Sequence, residues 1–185
     1  SSLPDGSFDS MLGKGSGAGV IFGNTGGGME AALRMAYGSL TGRKPPEALF
    51  DLEPVRGMRG VKEATVDIDG TAVRIAVIYG TANAAEFLDG DISGYHFIEV
   101  MTCPGGCISG AGQPQMHRIP VTDDIRLSRM KSMYEEDESM TLRNSVDNPE
   151  VNRVYTEFYG RPLSEMAEKL LHTEYTDRKA GSTER

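Results

Sequence analysis

The residues of this chain best suited to chemistry are its two cysteines, Cys103 and Cys107, which lie in the stretch Glu99-Val-Met-Thr-Cys-Pro-Gly-Gly-Cys-Ile-Ser-Gly-Ala-Gly-Gln-Pro114. Glycine tolerates positive φ and lets backbone N–H groups approach sulfur, which steadies thiolate charge, so the stretch reads as an iron–sulfur ligand loop. Two thiolates are half of the usual four, and a site built on them takes its other ligands from another chain or another segment. The competing reading of a bare C-x-x-x-C is a structural or disulfide-bonded pair, and the proline and glycine pattern weighs against it.

The elements that must position this loop form an α/β pattern. Tyr95-His-Phe-Ile-Glu-Val-Met101 is largely apolar and reads as a short buried strand that delivers Cys103 to a strand end, where α/β folds place their chemistry. Upstream, Gly19 to Phe22 reads as a short apolar strand and Gly23 to Gly28 as a turn. Met29, Leu33, Ala36, Tyr37 and Leu40 then mark one helix face ending at Gly42. The glycine-rich turn matches neither phosphate-binding pattern, G-x-x-x-x-G-K-[ST] or G-x-G-x-x-G after a strand, and close approach of backbone to a cluster needs the same glycines. Two alternating runs, 64–68 and 71–79, flank Asp69-Gly70 as a hairpin, and the second loses its alternation at Ala76 to Tyr79, as a strand buried on both faces would. A short helix follows over 82–88.

Beyond Pro114 the chain reads as an exposed connector containing His117, Arg118 and Pro120, and then as helices. Leu127, Met130, Met133 and Tyr134 share one face, with Glu135 to Glu138 as its solvated end. Asn148-Pro149 opens a helix carrying Val151, Val154, Tyr155, Phe158 and Tyr159, and Leu163, Met166, Ala167, Leu170 and Leu171 mark a third. The methionines are expected to pack, and His96 and His172 to be hydrogen-bonded structural residues.

The cysteine loop resembles the third signature of the H-cluster domain of iron-iron hydrogenases, E-x-M-x-C-P-G-G-C-x-x-G-x-G-Q-P. Gly19-Val-Ile-Phe-Gly-Asn-Thr-Gly-Gly-Gly-Met-Glu-Ala-Ala-Leu-Arg34 is similar to the family's V-I-F-G-x-T-G-G-x-M-E-A-A-x-R, and Val55-Arg-Gly-Met-Arg-Gly-Val-Lys-Glu-Ala64 to its V-R-G-x-x-G-x-K-E-A. Tyr134, Arg143, Ser145, Asn148-Pro149, Tyr155-Thr-Glu-Phe158 and Leu170-Leu-His-Thr-Glu-Tyr175 follow in the family's order. Lys14, Gly28, Thr102, Ala111 and Val146-Asp147 depart from the usual residues, and Thr102 and Ser109 add hydroxyls beside the cysteines.

The resemblance implies an α/β fold, the C-terminal lobe of the hydrogenase H-domain, with a small mixed sheet flanked by helices and a helical C-terminal segment. It implies that Cys103 is a terminal ligand of a 4Fe-4S cluster and that Cys107 bridges this cluster to a two-iron subsite carrying CO, CN and dithiolate ligands. Met101 would pack against that subsite, with Phe22 and Gly23 lining its pocket and Thr25, Gly26 and Gly27 close behind. Pro104, Gly105 and Gly106 would shape the loop between the ligands. The implied activity is reversible reduction of protons to dihydrogen. The implied partners are an N-terminal lobe or separate subunit holding the other cluster cysteines and electron-relay clusters, and a ferredoxin or NAD-linked electron donor. A hydrogen sensor, or a non-catalytic iron–sulfur assembly protein of the same fold, are the alternatives.

Composition bounds the rest. The 185 residues, 38% hydrophobic, suffice for one core or two small lobes, expected as an α/β lobe over 1–122, a helical segment over 123–175 and a polar tail over 176–185. A net charge of -8 argues against nucleic acid as a partner. No apolar run approaches a membrane span and no signal-peptide pattern opens the chain, while Ser1-Ser2 without an initiator Met reads as a processed chain or part of a longer polypeptide. Two cysteines make no disulfide scaffold, which favours a reducing compartment, with the cytoplasm as the expectation.

Overall fold

A computed structural model describes residues 6–7, 12–114 and 121–174. The expected connector at His117, Arg118 and Pro120, residue Tyr175 and the tail over 176–185 lie outside the described residues. The chain divides into two compact units, Lys14–Asn148 and the paired ends Ser1–Gly13 with Pro149–Arg185.

The unit Lys14–Asn148 is built on a mixed sheet, three-stranded among the described residues, in the order β1-β2-β3. Strands β1 (Val61–Ile68) and β2 (Thr71–Tyr79) form the antiparallel hairpin expected around Asp69-Gly70, where both residues take positive φ. Ala76, Val77 and Ile78 are fully buried, so the lost alternation in β2 does mark its buried half. Strand β3 (Phe97–Met101) pairs parallel with β2 after a crossover through helix α3 (Thr81–Leu88), the connection that a parallel pair requires. Strand β3 is an edge strand with Phe97 and Val100 exposed, not the buried strand its apolar run suggests. Met29, Leu33, Leu49, Leu52, Val55, Val66, Ile68, Ile75 and Val77 form the core between the sheet and the long helix Gly27–Thr41.

Gly19 to Phe22 forms no strand, because the segment belongs to the short helix α1 (Gly17–Ile21). A brief apolar run does not distinguish the two states by periodicity. The cap decides it: Ser16 Oγ accepts the Gly19 N–H at 3.3 Å, while the N–H groups of Gly17 and Ala18 donate to the carbonyls of Leu142 and Arg143. The long helix that follows, α2 (Gly27–Thr41), ends at Gly42 in the left-handed region, as its sequence predicts.

Helix α4 (Asp123–Ser139) packs on α1 within the same unit. Its Met130 is buried, in keeping with a packing role. Its acidic end is not wholly solvated: Asp137 is buried, with Arg34 Nη2 at 2.9 Å and Arg143 Nη2 at 2.8 Å from its carboxylate. Arg34 is itself fully buried and also meets Glu30 at 3.5 Å, and Arg56 reaches Glu30 at 2.7 Å. A charge run reads as a solvated face from sequence alone. Here three arginines pair with the two buried carboxylates, so neither charge is left uncompensated.

In the other unit, α5 (Pro149–Val154) runs on as a π-helical turn over Tyr155–Tyr159, and α6 (Glu165–Leu171) is capped by Ser164, whose Oγ accepts the Ala167 N–H at 3.1 Å. Leu163 precedes that cap and takes positive φ, so it does not share the helix face predicted for it.

Candidate metal centre

Two loops meet at the carboxyl end of β3. The glycine-rich turn between α1 and α2 carries Phe22 to Gly26, and the cysteine loop carries Cys103 to Cys107. The Thr25 N–H donates to Gly105 O at 2.9 Å, the Ile108 N–H donates to Gly23 O at 3.3 Å, and Asn24 bridges Gly106 in an antiparallel pair. This seam requires glycine. Gly106 has φ +99°, and a Cβ there would lie 2.6 Å from Gly23 O and 2.9 Å from Met101 Sδ. At Gly27 a Cβ would fall 1.7 Å from Ile21 O.

Helix α2 begins at the seam with Gly26 as its cap residue, which offers no side chain to the free N–H groups. Glu99 of β3 replaces it. Its Oε1 accepts the Gly26 N–H and its Oε2 the Met29 N–H, each at 2.6 Å. Glu99 and Met101 stand two residues apart on one face of β3, so the strand that delivers the cysteines also fixes the opposite wall. Burial raises the Glu99 pKa, and the two N–H donors and Lys62 oppose that rise.

Lys62 of β1 lies behind the turn, 1% exposed, with its ammonium donating to Thr25 O at 3.2 Å, to Thr25 Oγ1 at 3.4 Å and to Gly57 O at 3.2 Å. Burial draws its pKa down to about 8, against the charge of Glu99, which raises it. Helix α4 closes the rear. Asn24 is fully buried and its Nδ2 donates to Met130 O at 3.3 Å, while Met133 Cε lies 2.5 Å from where a Cβ on Gly23 would be.

All the expected site residues converge on this seam. Gly105, Gly106, Thr25, Gly26 and Gly27 are buried and form its floor, with Gly23 and Met101 half-buried beside them. Phe22, Pro104 and Cys107 are exposed, and Cys103 is half-buried. Both thiols are free, with no disulfide between them. Glu99, Lys62 and Asn24 complete the arrangement and were given no role by the sequence reading. A visible signal existed for one of them: Glu99 is the lone carboxylate in an apolar run, and α2 lacks a capping side chain of its own.

Two free thiols held by a glycine seam suit soft-metal ligation, and they fit half of a four-thiolate cluster. Among the described residues no group of three or more His, Cys, Asp or Glu side chains could hold a metal ion. His96 Nδ1 accepts the Arg74 N–H at 3.0 Å, a structural role as expected. No helix among the described residues is long and apolar enough to cross a membrane.

Residues 1–111 match the family described as iron only hydrogenase large subunit, C-terminal domain, and residues 123–178 match the iron hydrogenase small subunit family. The NADP-reducing hydrogenase subunit HndD of Solidesulfovibrio fructosivorans is 46% identical over 181 residues, covering 96% of this chain and 30% of that protein. A solved structure of a single-site variant of the [FeFe]-hydrogenase HydA1 from Chlamydomonas reinhardtii superposes with a TM-score of 0.65 at 37% identity, over 94% of this chain and 50% of that one. The cytosolic iron-sulfur assembly component 3 of Mus musculus is 32% identical over 159 residues, 83% of this chain and 31% of that protein. The chain thus spans about a third to a half of the length of these relatives.

Proposed function

This chain belongs to the iron-only hydrogenase family, and we propose that it forms the C-terminal half of a hydrogenase catalytic unit, ligating one side of an H-cluster whose other side a partner lobe completes. The observation that carries this reading is the seam itself: two free thiols and an exposed Phe22 stand over a floor of buried backbone in which the glycine-rich turn and the cysteine loop are hydrogen-bonded to each other.

In this reading Cys103 and Cys107 hold a 4Fe-4S cluster and its two-iron subsite, and Met101, Phe22 and Gly23 surround the subsite and its CO, CN and dithiolate ligands. When bound, the cofactor supplies the chemistry of reversible proton reduction to dihydrogen. The protein's residues hold and orient it. Glu99 and Lys62 fix the glycine-rich turn, the glycines admit close approach, and the apolar side chains exclude water. The partner lobe, or separate subunit, brings the remaining cluster cysteines and the electron-relay clusters, with a ferredoxin or NAD-linked donor beyond them. Exposed Met166, Leu170 and Leu171 on α6 suit a surface that another protein covers. Free thiols suit the cytoplasm.

The test is dihydrogen evolution by the complete hydrogenase, with Cys103→Ala and Cys107→Ala compared with the parent for activity and iron content. Each substitution is expected to abolish turnover and lower bound iron; parent-like activity in either would exclude the assignment.

A second reading, iron–sulfur assembly without catalysis, draws on the likeness to the assembly component. It predicts cluster iron without dihydrogen turnover in the parent protein. The face offered by Phe22, Gly23 and Met101, beyond what a lone four-iron cluster needs, favours the hydrogenase reading.

A further inference from the structure

Helix α4 touches the cysteine loop as well as the glycine-rich turn. Arg129 Nη1 donates to Ile108 O at 2.7 Å and its Nη2 to Pro114 O at 2.8 Å, so one guanidinium closes the loop that follows Cys107 at both ends. One helical turn earlier, Arg126 Nε donates to Ser109 Oγ at 3.0 Å, and its Nη1 donates to Asp123 at 2.6 Å. Two cationic side chains of a single helix face thus grip the two residues after the bridging cysteine. The planar fork of arginine suits this double hold in a way that a lysine ammonium does not.

The charges of the pair differ in effect. Asp123 is an exposed partner that balances Arg126. No carboxylate among the described residues pairs with Arg129, whose half-buried guanidinium spends its donors on neutral carbonyls. Its field is therefore felt locally, with less screening than a solvated surface charge would have. Reduction of an iron–sulfur cluster by one electron adds one negative charge. A fixed cation beside the ligand turn stabilises the reduced form relative to the oxidised form.

We infer that Arg129, assisted by Arg126, is a positioning residue that orders the Cys107 turn and raises the reduction potential of the four-iron cluster held there. The inference rests on the hydrogenase reading above and adds to it a control of electron supply from α4, a helix within the segment that matches the small-subunit family.

The test is a potentiometric titration of the four-iron cluster by electron paramagnetic resonance in the complete hydrogenase, partner lobe included. Arg129→Gln is expected to move the couple to more negative potential by up to a tenfold change in the reduced-to-oxidised ratio at fixed poise, 59 mV for one electron. Arg129→Lys, which keeps the charge, is expected to restore most of that shift. Asp123→Asn, a mild change at an exposed position, unmasks Arg126 and is expected to move the couple the opposite way, which a purely structural role would not do. Equal shifts in the Gln and Lys variants overturn the inference, as does an unmoved couple in Asp123→Asn should Arg129→Gln lose the cluster. A parent protein with no cluster signal overturns the hydrogenase reading and this inference together; a normal parent signal with an Arg129→Gln couple that does not move overturns the inference alone.

Discussion

The Glu99 carboxylate caps helix α2 from across the fold, accepting the N–H of Gly26, the cap residue, at 2.6 Å. A glycine was needed at that position because φ is +96° and a Cβ would meet Val55 O at 2.3 Å, so the cap had to come from another element. The strand that carries the cysteines supplies it. This one contact makes the position of the glycine-rich wall depend on the position of the ligand loop.

Glu99→Ala leaves the Gly26 and Met29 N–H groups without their acceptor in a part-buried site. The expected loss is about 2–4 kcal/mol of stability, from a lost cap together with unpaired donors. Glu99→Gln, which keeps one carbonyl acceptor, is expected to lose roughly half as much. Urea unfolding of the complete protein measures both, and iron content is expected to fall in the same order.

Gly106→Ala meets Gly23 O at 2.6 Å and Thr25 N at 2.8 Å in a backbone conformation that alanine resists. Strain and overpacking together are expected to cost about 2–5 kcal/mol and to open the seam between the two loops. Gly112→Ala, with nothing within 4 Å of its added Cβ, is expected to be nearly neutral. Thermal melts of the pair, with iron content as the second readout, distinguish a seam effect from a general intolerance of the loop.

Asp137→Ala leaves Arg34 buried with only the more distant Glu30 beside it, and removes an anchor of Arg143. Breaking such a pair from one side is expected to cost about 3–5 kcal/mol by denaturant unfolding. Burial would raise the Asp137 pKa, yet the hydrogen bonds from Arg143 and Arg34 outweigh it and hold the carboxyl below its ordinary value. The stabilisation is therefore complete above the usual carboxylate range and is lost as pH falls through the depressed native value, and the variant is expected to lose that acid sensitivity.

Lys62 gives a pH dependence of the same sign in a higher window. Its native pKa near 8 lies below the ordinary 10.5, so between these values the unfolded chain binds more protons than the folded one, and stability attributable to this group rises with pH. Below about pH 8 the folded protein bears the cost of a buried ammonium. The parent-minus-Lys62→Met difference in unfolding free energy is expected to grow from below pH 8 towards pH 10; a difference independent of pH would contradict the burial argument.

Much of this arrangement was legible in the sequence because it is written in local chemistry. The hairpin at Asp69-Gly70, the helix stop at Gly42 and the cysteine loop each announce themselves through residues with few conformational options. The glycine-rich turn and the cysteine loop were identifiable from their family patterns, but not the backbone seam that joins residues 25 and 105. What was not legible is long-range and electrostatic. Nothing in the period of α4 distinguishes Asp137, buried against Arg34, from Glu136 one residue earlier, which stays exposed. Gly19 to Phe22 reads as a strand from sequence, whereas its state is decided by the Ser16 cap and by the carbonyls of Leu142 and Arg143, more than a hundred residues away. Lys62 lies two residues before the alternating run at 64–68, and only the fold reveals that β1 includes it and that its side chain ends beneath Thr25.

The most direct test of the central claim is infrared spectroscopy of the complete, anaerobically purified hydrogenase. The account predicts carbonyl and cyanide stretches from a two-iron subsite, absent from Cys107→Ala. A parent protein that holds four-iron cluster iron and shows no such stretches after cofactor reconstitution would contradict it, leaving an iron–sulfur protein without hydrogen chemistry.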